Sequence, residues 1–226
     1  MSNILFKYPS TPHFSTSNIN DVRADKTLED RVQNDIFNHE IVVEEKIDGA
    51  NLGISFDHEA NIVLQNRGAL LIPPFFGQWQ YLEKWLSLKR DLIFDVLGDR
   101  YILFGEWCYA KHSILYTHLP DYFLAFDIYD KKHNTFIDFT RRNNLLELMH
   151  ITAVPLIAQG FYSLDVLPRF IKKSVYANEI SEGIYVRASN KDETYFRAKI
   201  VRDSFTQNIK EHWSSNRITK NKLFNL

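Results

Sequence analysis

The sequence predicts an α+β fold with mostly antiparallel sheets and flanking helices. One observation is that short runs rich in β-branched and aromatic residues recur with turn residues between them, as in 41–47 and 50–56. A second is that residues 78–97 place apolar side chains at helical spacing. The third is that no linker rich in Pro, Gly or Ser divides the 226 residues, so we expect one domain.

The first half of the chain is predicted to contain a short helix, three strands and a long helix. Turn residues separate the strands, and Pro73-Pro74 ends their sheet. The apolar side chains that recur in the long helix include Trp79, Leu82, Leu86 and Ile93. After an irregular lead-in, the ranges in chain order are helix 27–37, strands 41–47, 50–56 and 61–66, and helix 78–97.

The second half is predicted to alternate strands and helices. Lys131-Lys132-His133-Asn134 is expected to form the turn of a hairpin, and Ser163 or Pro168 to begin a further helix. The ranges are strands 101–107, 122–130 and 135–139, helix 140–149, strands 183–188 and 194–201, and helix 204–213. The domain is then 1–226, with a core at 41–205 and a short C-terminal helix and basic tail at 206–226.

Composition limits the classes of function. The net charge is −1, so no overall basic field attracts nucleic acid, and such binding must use local patches such as Arg217, Lys220 and Lys222. Cys108 is the single cysteine, which excludes an intrachain disulfide and fits a reducing compartment. No signal peptide or long apolar run occurs, so we expect a cytoplasmic protein without a membrane partner.

Lys46 is the residue most informative about function. It stands at the end of a predicted strand, in the run Glu45-Lys46-Ile47-Asp48-Gly49-Ala50-Asn51. A lysine can be a covalent nucleophile when it is held, partly desolvated and deprotonated. The alternative is a hairpin turn in which Asp48-Gly49 supplies the bend and the lysine is solvated.

Three further residues carry polar or aromatic chemistry in or beside strands. Arg67 is suited to bidentate contact with a phosphate, although a solvated strand end would look the same. Glu106 follows an apolar run, where a carboxylate is costly unless it has a partner. Phe126 could stack on a base, but a phenylalanine in a strand is more often part of the core.

Charged residues also mark the last two predicted strands. Glu182 precedes the first of them. In the second, a period of two places Arg197 and Lys199 on the same strand face. Two cations so placed repel each other unless an anion lies between them, so this pair predicts an anionic ligand.

In their order along the chain, these segments resemble the motifs of the covalent nucleotidyltransferase superfamily, and most closely those of the RNA ligase 2-like family. The matching segments are 45–51, 65–68, 103–107, 124–129, 181–186 and 196–200. The resemblance implies an ATP-grasp-like ligase adenylation fold. Since few residues follow Lys199, it also implies that the OB domain of DNA ligases and capping enzymes is missing.

The resemblance implies a role for each residue. Lys46 would attack the α-phosphorus of ATP and hold AMP as a phosphoramidate, and Glu182 would support a divalent metal. The residues implied to bind the nucleotide are Glu45, Asp48, Gly49, Asn51, Arg67, Glu106, Phe126, Arg197 and Lys199. We expect a nearby metal and the cations Arg67, Arg197 and Lys199 to lower the pKa of Lys46.

The implied activity is that of an ATP-dependent RNA ligase, with ATP and Mg²⁺ (or Mn²⁺) as cofactors. AMP would pass from Lys46 to an RNA 5′-phosphate, and a 3′-hydroxyl would then displace it. The expected partners are therefore RNA ends, together with an RNA end-processing enzyme or polynucleotide kinase. Two alternatives stay open: a DNA-end-sealing or capping-type nucleotidyltransferase that acts with a partner domain, and a catalytically silent nucleotide or RNA-end sensor.

Overall fold

Two antiparallel sheets carry the fold, and their strand order decides which residues meet. The computed structural model describes residues 5–14, 27–189, 193–202, 205 and 218–224. The elements are α1 (Asp30–Ile36), β1 (Ile41–Lys46), β2 (Ala50–Phe56), β3 (Ile62–Gln65), α2 (Leu82–Leu97), β4 (Tyr101–Trp107), β5 (Phe123–Asp130), β6 (Thr135–Phe136), α3 (Phe139–Leu148), β7 (Leu156–Gly160), β8 (Gly183–Ser189) and β9 (Thr194–Val201). The first sheet has the order β7-β1-β8-β9 and the second β3-β2-β4-β5-β6. The predicted α+β class with antiparallel sheets is confirmed.

The chain crosses from the first sheet to the second directly after Lys46. Lys46 ends β1 in the first sheet, whereas Ala50 begins β2 in the second. The segment Ile47–Gly49 therefore joins two sheets, and the alternative interpretation of it as a hairpin turn is wrong. A Cβ on Gly49 would lie 2.9 Å from the carbonyl oxygen of Trp107, so the close passage at this crossing requires glycine.

Most predicted elements are present, with ends that differ by a few residues. The predicted hairpin is formed by β5 and β6, but β6 ends at Phe136 and not at 139. The strand is shorter because Asp138 caps α3, where its side chain accepts the backbone N–H of Arg141. A capping residue thus takes the place of a strand end.

Three segments depart from the sequence prediction or escape it. No strand was expected at Leu156–Gly160, yet β7 forms there and pairs with β1. The helix expected near Ser163 is a short 3₁₀ helix at Leu167–Phe170. The predicted helix at 204–213 lies outside the described residues, except for Phe205.

Buried apolar side chains pack on both faces of the second sheet. The cluster between this sheet and α2 contains Leu52, Ile54, Leu82, Trp85, Leu103 and Phe123. A second cluster contains Ile47, Phe104, Ile114, Tyr116, Leu124 and Phe126. None of the described helices is both long and apolar enough to cross a membrane.

Residues 218–224 pack against the loop that joins β4 to β5. Asn221 is buried, and the backbone N–H of Lys222 donates to the carbonyl of Tyr116 at 2.9 Å. Part of the predicted basic tail is therefore a packed segment, because its backbone and Asn221 bond to that loop. Arg217 lies outside the described residues, and the single domain spanning 1–226 stays a prediction.

Candidate functional site

An open cleft lies between the two sheets beside the end of β1, and its empty space of about 510 Å³ includes solvent at its mouth. We refer to this cleft as the cavity. Strands of both sheets and the N-terminal segment line it. The lining residues are Tyr8, Thr11, Glu44, Glu45, Lys46, Ile47, Asn51, Arg67, Glu106, Phe126, Val154, Tyr185 and Lys199. The sequence-predicted residues among them are Glu45, Lys46, Asn51, Arg67, Glu106, Phe126 and Lys199.

Lys46 is held as a cation by carboxylates. Its Nζ donates to Glu182 Oε2 at 2.7 Å, and its side chain is 22% exposed. Burial acts to lower the pKa of Lys46, but Glu182 and Glu106 outweigh burial, and the pKa is raised. The expected lowering of this pKa by the cations Arg67, Arg197 and Lys199 is therefore not found, because the carboxylates of Glu182, Glu106 and Asp48 act in the opposite direction.

Glu106 is a carboxyl group with an unmet hydrogen-bonding capacity. Its Oε2 is buried and has no hydrogen-bond partner among the described residues. Burial and the nearby Glu182 raise the pKa of Glu106 to about 7, although Lys46 and Arg67 act to lower it. At neutral pH the group is therefore divided between its acid and carboxylate forms.

Asn51 lies next to Glu106 on the neighbouring strand of the second sheet. The two residues are directly paired between β2 and β4. Asn51 Oδ1 is also buried without a hydrogen-bond partner in the described part of the chain. Since buried polar atoms are normally satisfied, two such oxygens at one cavity wall indicate a place where a ligand supplies the donors.

Glu45 and Phe126 line the cavity from opposite sheets. Burial raises the pKa of Glu45, whose carboxylate accepts the hydroxyl of Ser174 and, at 3.0 Å, the backbone N–H of Val175. The Phe126 ring lies edge-on to Tyr8, with ring centroids 5.4 Å apart. An aromatic ring at the cavity wall offers a flat apolar contact to a planar ligand.

Arg67 and Lys199 bring positive charge to the cavity. Arg67 comes from the loop after β3, and Lys199 from β9. The N-terminal segment fixes the strand around Lys199, because the Lys199 N–H donates to Pro12 and the Phe14 N–H donates to the Lys199 carbonyl. With Lys46, these residues give the cavity three cationic side chains.

Arg197 lies outside the cavity lining, although it shares a strand with Lys199. Its Nη1 donates to Asp127 Oδ2 and to the Tyr8 hydroxyl, both at 2.9 Å. Its guanidinium carbon also lies 3.6 Å from the centroid of the Phe136 ring. The anion beside Arg197 in this structure is thus Asp127, and its contact with a nucleotide stays a prediction.

Asp48, Gly49 and Glu182 also lie outside the residues that line the cavity. Asp48 Oδ2 accepts the backbone N–H groups of Ser113 and Ile114 at 2.7 and 2.9 Å. Gly49 allows the chain to pass close to the Trp107 backbone. Glu182 contacts the cavity residue Lys46 by accepting a hydrogen bond from its Nζ. The structure therefore places Asp48 and Gly49 where they support the Lys46 segment, and their contact with a nucleotide stays a prediction.

Sequence reasoning missed the contribution of the N-terminal segment. Tyr8 and Thr11 line the cavity, and Tyr8 donates its hydroxyl to Asp127. Nothing local in the sequence indicates this, since the contact joins residues far apart in the chain. Tyr185 is a different case, because it lies in the segment 181–186 that had been singled out.

The residues present fit a divalent cation shared with a phosphate ligand. The described residues contain no cluster of three or more His, Cys, Asp or Glu side chains placed to hold a metal ion. The carboxylates of Glu106 and Glu182, however, both lie near enough to the Lys46 amine to raise its pKa. Glu106 Oε2 also lacks a hydrogen-bond partner within the described residues. Mg²⁺ at phosphate sites commonly takes only one or two protein carboxylates and completes its shell with water and phosphate oxygens.

The two sheets and this cavity define a nucleotidyltransferase-like class of fold. A family model described as RNA ligase matches residues 39–201. That range covers more than half of the 226 residues, and the chain belongs to the RNA ligase family. A comparison with curated protein sequences gave no match.

Several solved structures of a Naegleria gruberi RNA ligase have a similar fold. The structure with PPi is 15% identical, has a TM-score of 0.68, and covers 94% of this chain and 60% of that one. A mutant with AMP and Mn is 14% identical, with a TM-score of 0.67 and coverage of 92% and 59%. A mutant with ATP and Mn is 17% identical, with a TM-score of 0.62 and coverage of 78% and 54%. These identities show the fold alone, and this chain spans 60% or less of that ligase's length.

Proposed function

We propose that this chain is an ATP-dependent RNA ligase that carries AMP on Lys46. It would transfer the AMP to an RNA 5′-phosphate and join that end to a 3′-hydroxyl. The observation that carries the proposal is the position of the Lys46 amine, at the wall of a cavity that also presents Phe126, Arg67 and Lys199. The Phe126 ring then suits a nucleotide base, and the cations Arg67 and Lys199 suit its phosphate chain. The ATP and Mn of the Naegleria gruberi ligase structures add support for nucleotide and metal use.

The first step is a displacement at the α-phosphorus of ATP. The Lys46 nitrogen forms a bond to phosphorus, and the bond from phosphorus to the pyrophosphate oxygen breaks. An ammonium cannot attack, so Nζ must lose a proton, and Glu182 Oε2 already accepts a hydrogen bond from it at 2.7 Å. Burial raises the pKa of Glu182, so this carboxylate can accept that proton while no cation is bound to it.

The cavity wall positions the rest of the nucleotide. Phe126 and Tyr8 supply aromatic surface for adenine, and Asn51 and Glu106 offer oxygens that can accept ribose hydroxyls. Arg67 and Lys199 offset the negative charge of the phosphates as pyrophosphate leaves. When bound by Glu106 and Glu182, a divalent cation would neutralise phosphate charge and weaken the hold of these carboxylates on the Lys46 ammonium.

The next two steps reuse the same groups. An oxygen of the RNA 5′-phosphate attacks the lysyl-linked AMP, and the Lys46 nitrogen leaves and takes up a proton. The 3′-hydroxyl oxygen then attacks the activated 5′-phosphate, and AMP departs as the phosphodiester forms. The substrates must therefore carry a 5′-phosphate and a 3′-hydroxyl, which an RNA end-processing enzyme or polynucleotide kinase would supply.

The test is to incubate the protein with ATP and Mg²⁺ and to measure the mass of the intact protein by mass spectrometry. A mass increase of one AMP supports capture on the chain, and no increase with either Mg²⁺ or Mn²⁺ would favour a silent sensor. The labelled protein is then mixed with 5′-phosphorylated RNA or DNA of the same sequence. Transfer and sealing of RNA alone supports the proposal, whereas sealing of DNA alone or labelling by GTP favours the alternatives.

A further inference from the structure

We propose that Asn221 and Tyr116 are positioning residues for Lys46, because they hold the loop to which the Lys46 segment is bonded. The inference rests on the proposed function, since it concerns the placement of the nucleophile. Residues 218–224 would then help to place the nucleophile for AMP capture. A basic tail that only binds RNA would not affect that step. None of these residues lines the cavity.

Asn221 is the connection between the C-terminal segment and the loop after β4. Its Nδ2 donates to the carbonyls of Cys108 and Ala110 at 2.8 and 3.2 Å, and its Oδ1 accepts the Tyr116 N–H at 2.9 Å. Its own backbone N–H donates to the Tyr109 carbonyl at 3.0 Å. Asn221 is 2% exposed, so water cannot easily replace these bonds.

The backbone on either side of Asn221 continues the attachment. Thr219 accepts the N–H of Lys111 at 2.8 Å. The Leu119 N–H donates to the carbonyl of Lys222, and the Leu119 carbonyl accepts the N–H of Phe224. The C-terminal segment thus holds the loop along much of its length, and Asn221 is the one side chain in it that bonds to three loop residues.

The same loop holds the segment that follows Lys46. The Asp48 N–H donates to the hydroxyl of Tyr116 at 2.8 Å. Asp48 Oδ2 accepts two loop N–H groups, from Ser113 and Ile114. Asp48 is therefore bonded to the loop through both its backbone and its side chain, only two residues from Lys46.

This chain of bonds bears on catalysis because a nucleophile must be placed accurately. A displacement of about 1 Å from a distant change can cost on the order of 100-fold in rate. Lys46 ends β1, and the chain leaves the first sheet directly after it, so strand pairing fixes it from one side only. The loop supplies the constraint on the other side through Asp48.

The experiment measures the rate of AMP capture in a single turnover for Asn221→Ala and Tyr116→Phe. At saturating ATP we expect the rate to fall by roughly 10- to 100-fold in Asn221→Ala and by less in Tyr116→Phe, which removes one hydroxyl. The ATP concentration for half-maximal rate should change by less than about twofold, because neither residue lines the cavity. The amplitude of the single turnover separates this effect from partial unfolding, because an unfolded fraction lowers the amplitude and leaves the rate constant of the folded molecules unchanged.

Phe224→Ala is the matched control. Phe224 belongs to the same segment, but its side chain is 62% exposed and only its backbone bonds to the loop. We expect this variant to capture AMP at the wild-type rate. Wild-type rates in both Asn221→Ala and Tyr116→Phe would overturn the inference, as would a Phe224→Ala variant that loses as much as Asn221→Ala.

A second measurement needs no activity. Amide hydrogen exchange at Asp48, Ser113 and Ile114 should be faster in Asn221→Ala than in Phe224→Ala at equal global stability. Equal exchange would overturn the inference even in a protein that captures no AMP. The wild-type protein could also fail to capture AMP while exchange is still faster in Asn221→Ala than in Phe224→Ala. That result would contradict the proposed function and leave the coupling of Asn221 to Asp48 standing.

Discussion

Two clusters of buried and partly buried charge lie side by side in this protein, and they differ in how completely their atoms are paired. The closed network consists of Glu44, Asp127, Arg142, Arg187 and Arg197. The open cluster consists of Lys46, Glu106 and Glu182. Glu44 and Lys46 are only two residues apart on β1, so one strand contributes to both.

The closed network pairs its carboxylates with guanidinium groups. Arg187 contacts Glu44 Oε2 at 2.7 Å and Asp127 Oδ1 at 2.5 Å, which links the first sheet to the second. Arg142 of α3 contacts Glu44 Oε1 at 2.6 Å. Arg142 and Arg187 also donate to the Phe126 carbonyl, so the network fixes the strand that carries the cavity ring.

The open cluster pairs one amine with carboxylates that are not fully satisfied. Lys46 has the 2.7 Å contact with Glu182, while Glu106 Oε2 has no partner in the described part of the chain. Buried charges that satisfy one another hold the two sheets together, whereas the unmet oxygen marks the place for a ligand. The difference shows that burial and charge alone do not identify a functional residue.

The sharpest test of the open cluster is removal of its amine. Lys46→Ala and Lys46→Arg should both abolish AMP capture, since alanine has no nucleophile and arginine cannot deprotonate. Retention of radiolabelled AMP on denatured protein is the measurement. Lys132→Arg is the control, because Lys132 is an exposed lysine and this variant should be labelled normally. Label on either Lys46 variant would assign the nucleophile elsewhere.

The closed network should instead respond to mutation by losing stability. Asp127→Ala leaves Arg197 without its carboxylate and Arg187 with Glu44 alone, and we expect a loss of about 3–5 kcal/mol in the free energy of unfolding. Denaturant titration is the measurement. Asp130→Ala is the control on the same strand. Its partner Arg100 is 34% exposed and can turn to water, so it should lose less. Equal losses would mean that burial of the carboxylate, not pairing across the sheets, sets the cost.

Glu106→Gln should increase the free energy of unfolding, in contrast to Asp127→Ala. The pKa of Glu106 is raised to about 7 from an ordinary value of 4.5, mainly by burial, so the folded state binds more protons than the unfolded state between these values. Glu106 therefore lowers stability as pH rises from 4.5 to 7. At pH 8 the glutamine variant should be more stable by on the order of 1–3 kcal/mol, and it should capture AMP poorly.

Thermal unfolding between pH 4 and pH 8 measures the effect of Glu106→Gln. The gain over wild type should grow from pH 4.5 to 7 and then level off. Glu83→Gln, at an exposed position of α2, should follow the wild-type curve. A gain that does not depend on pH would show that ionisation of Glu106 is not the cause.

The smallest expected effect concerns the Phe126 ring at the cavity wall. Phe126→Leu should raise the KM for ATP roughly tenfold with little change in kcat, because stacking is made in the ground state and the transition state alike. Phe123→Leu is the control, since Phe123 is on the same strand but packs in the cluster that includes Trp85. A stability loss with normal KM in Phe126→Leu would mean that the ring is only part of the core.

The fold could be predicted largely from local patterns, but β7 shows the limit. β4 begins with a run of apolar and aromatic residues, and β2 alternates apolar residues with small or polar ones, so both give a clear signal. β7 is Leu-Ile-Ala-Gln-Gly and has no buried residue, so its formation depends on pairing with β1. A strand whose stability comes from its neighbour leaves little trace in its own sequence.

The site shows the same limit at the level of single residues. Lys46, Glu106 and Phe126 each stand in a segment with a distinctive pattern, and all three line the cavity, while their roles stay predictions. Arg197 and Lys199 share a strand face as expected, yet only Lys199 lines the cavity, because Asp127 of the other sheet pairs with Arg197. Periodicity gives the face of a strand, but the partner on the facing sheet comes from the tertiary structure.

The bond between Tyr8 and Arg197 has a consequence for synthesis of the protein. The two residues are 189 positions apart, and Tyr8 is also a wall of the cavity. A nascent chain therefore cannot complete this wall until β9 has left the ribosome, and a protease cut that releases the first residues would open it again. Unfinished or clipped chains thus lack one wall of the cavity, so completion of the candidate site depends on both ends of the described chain being present.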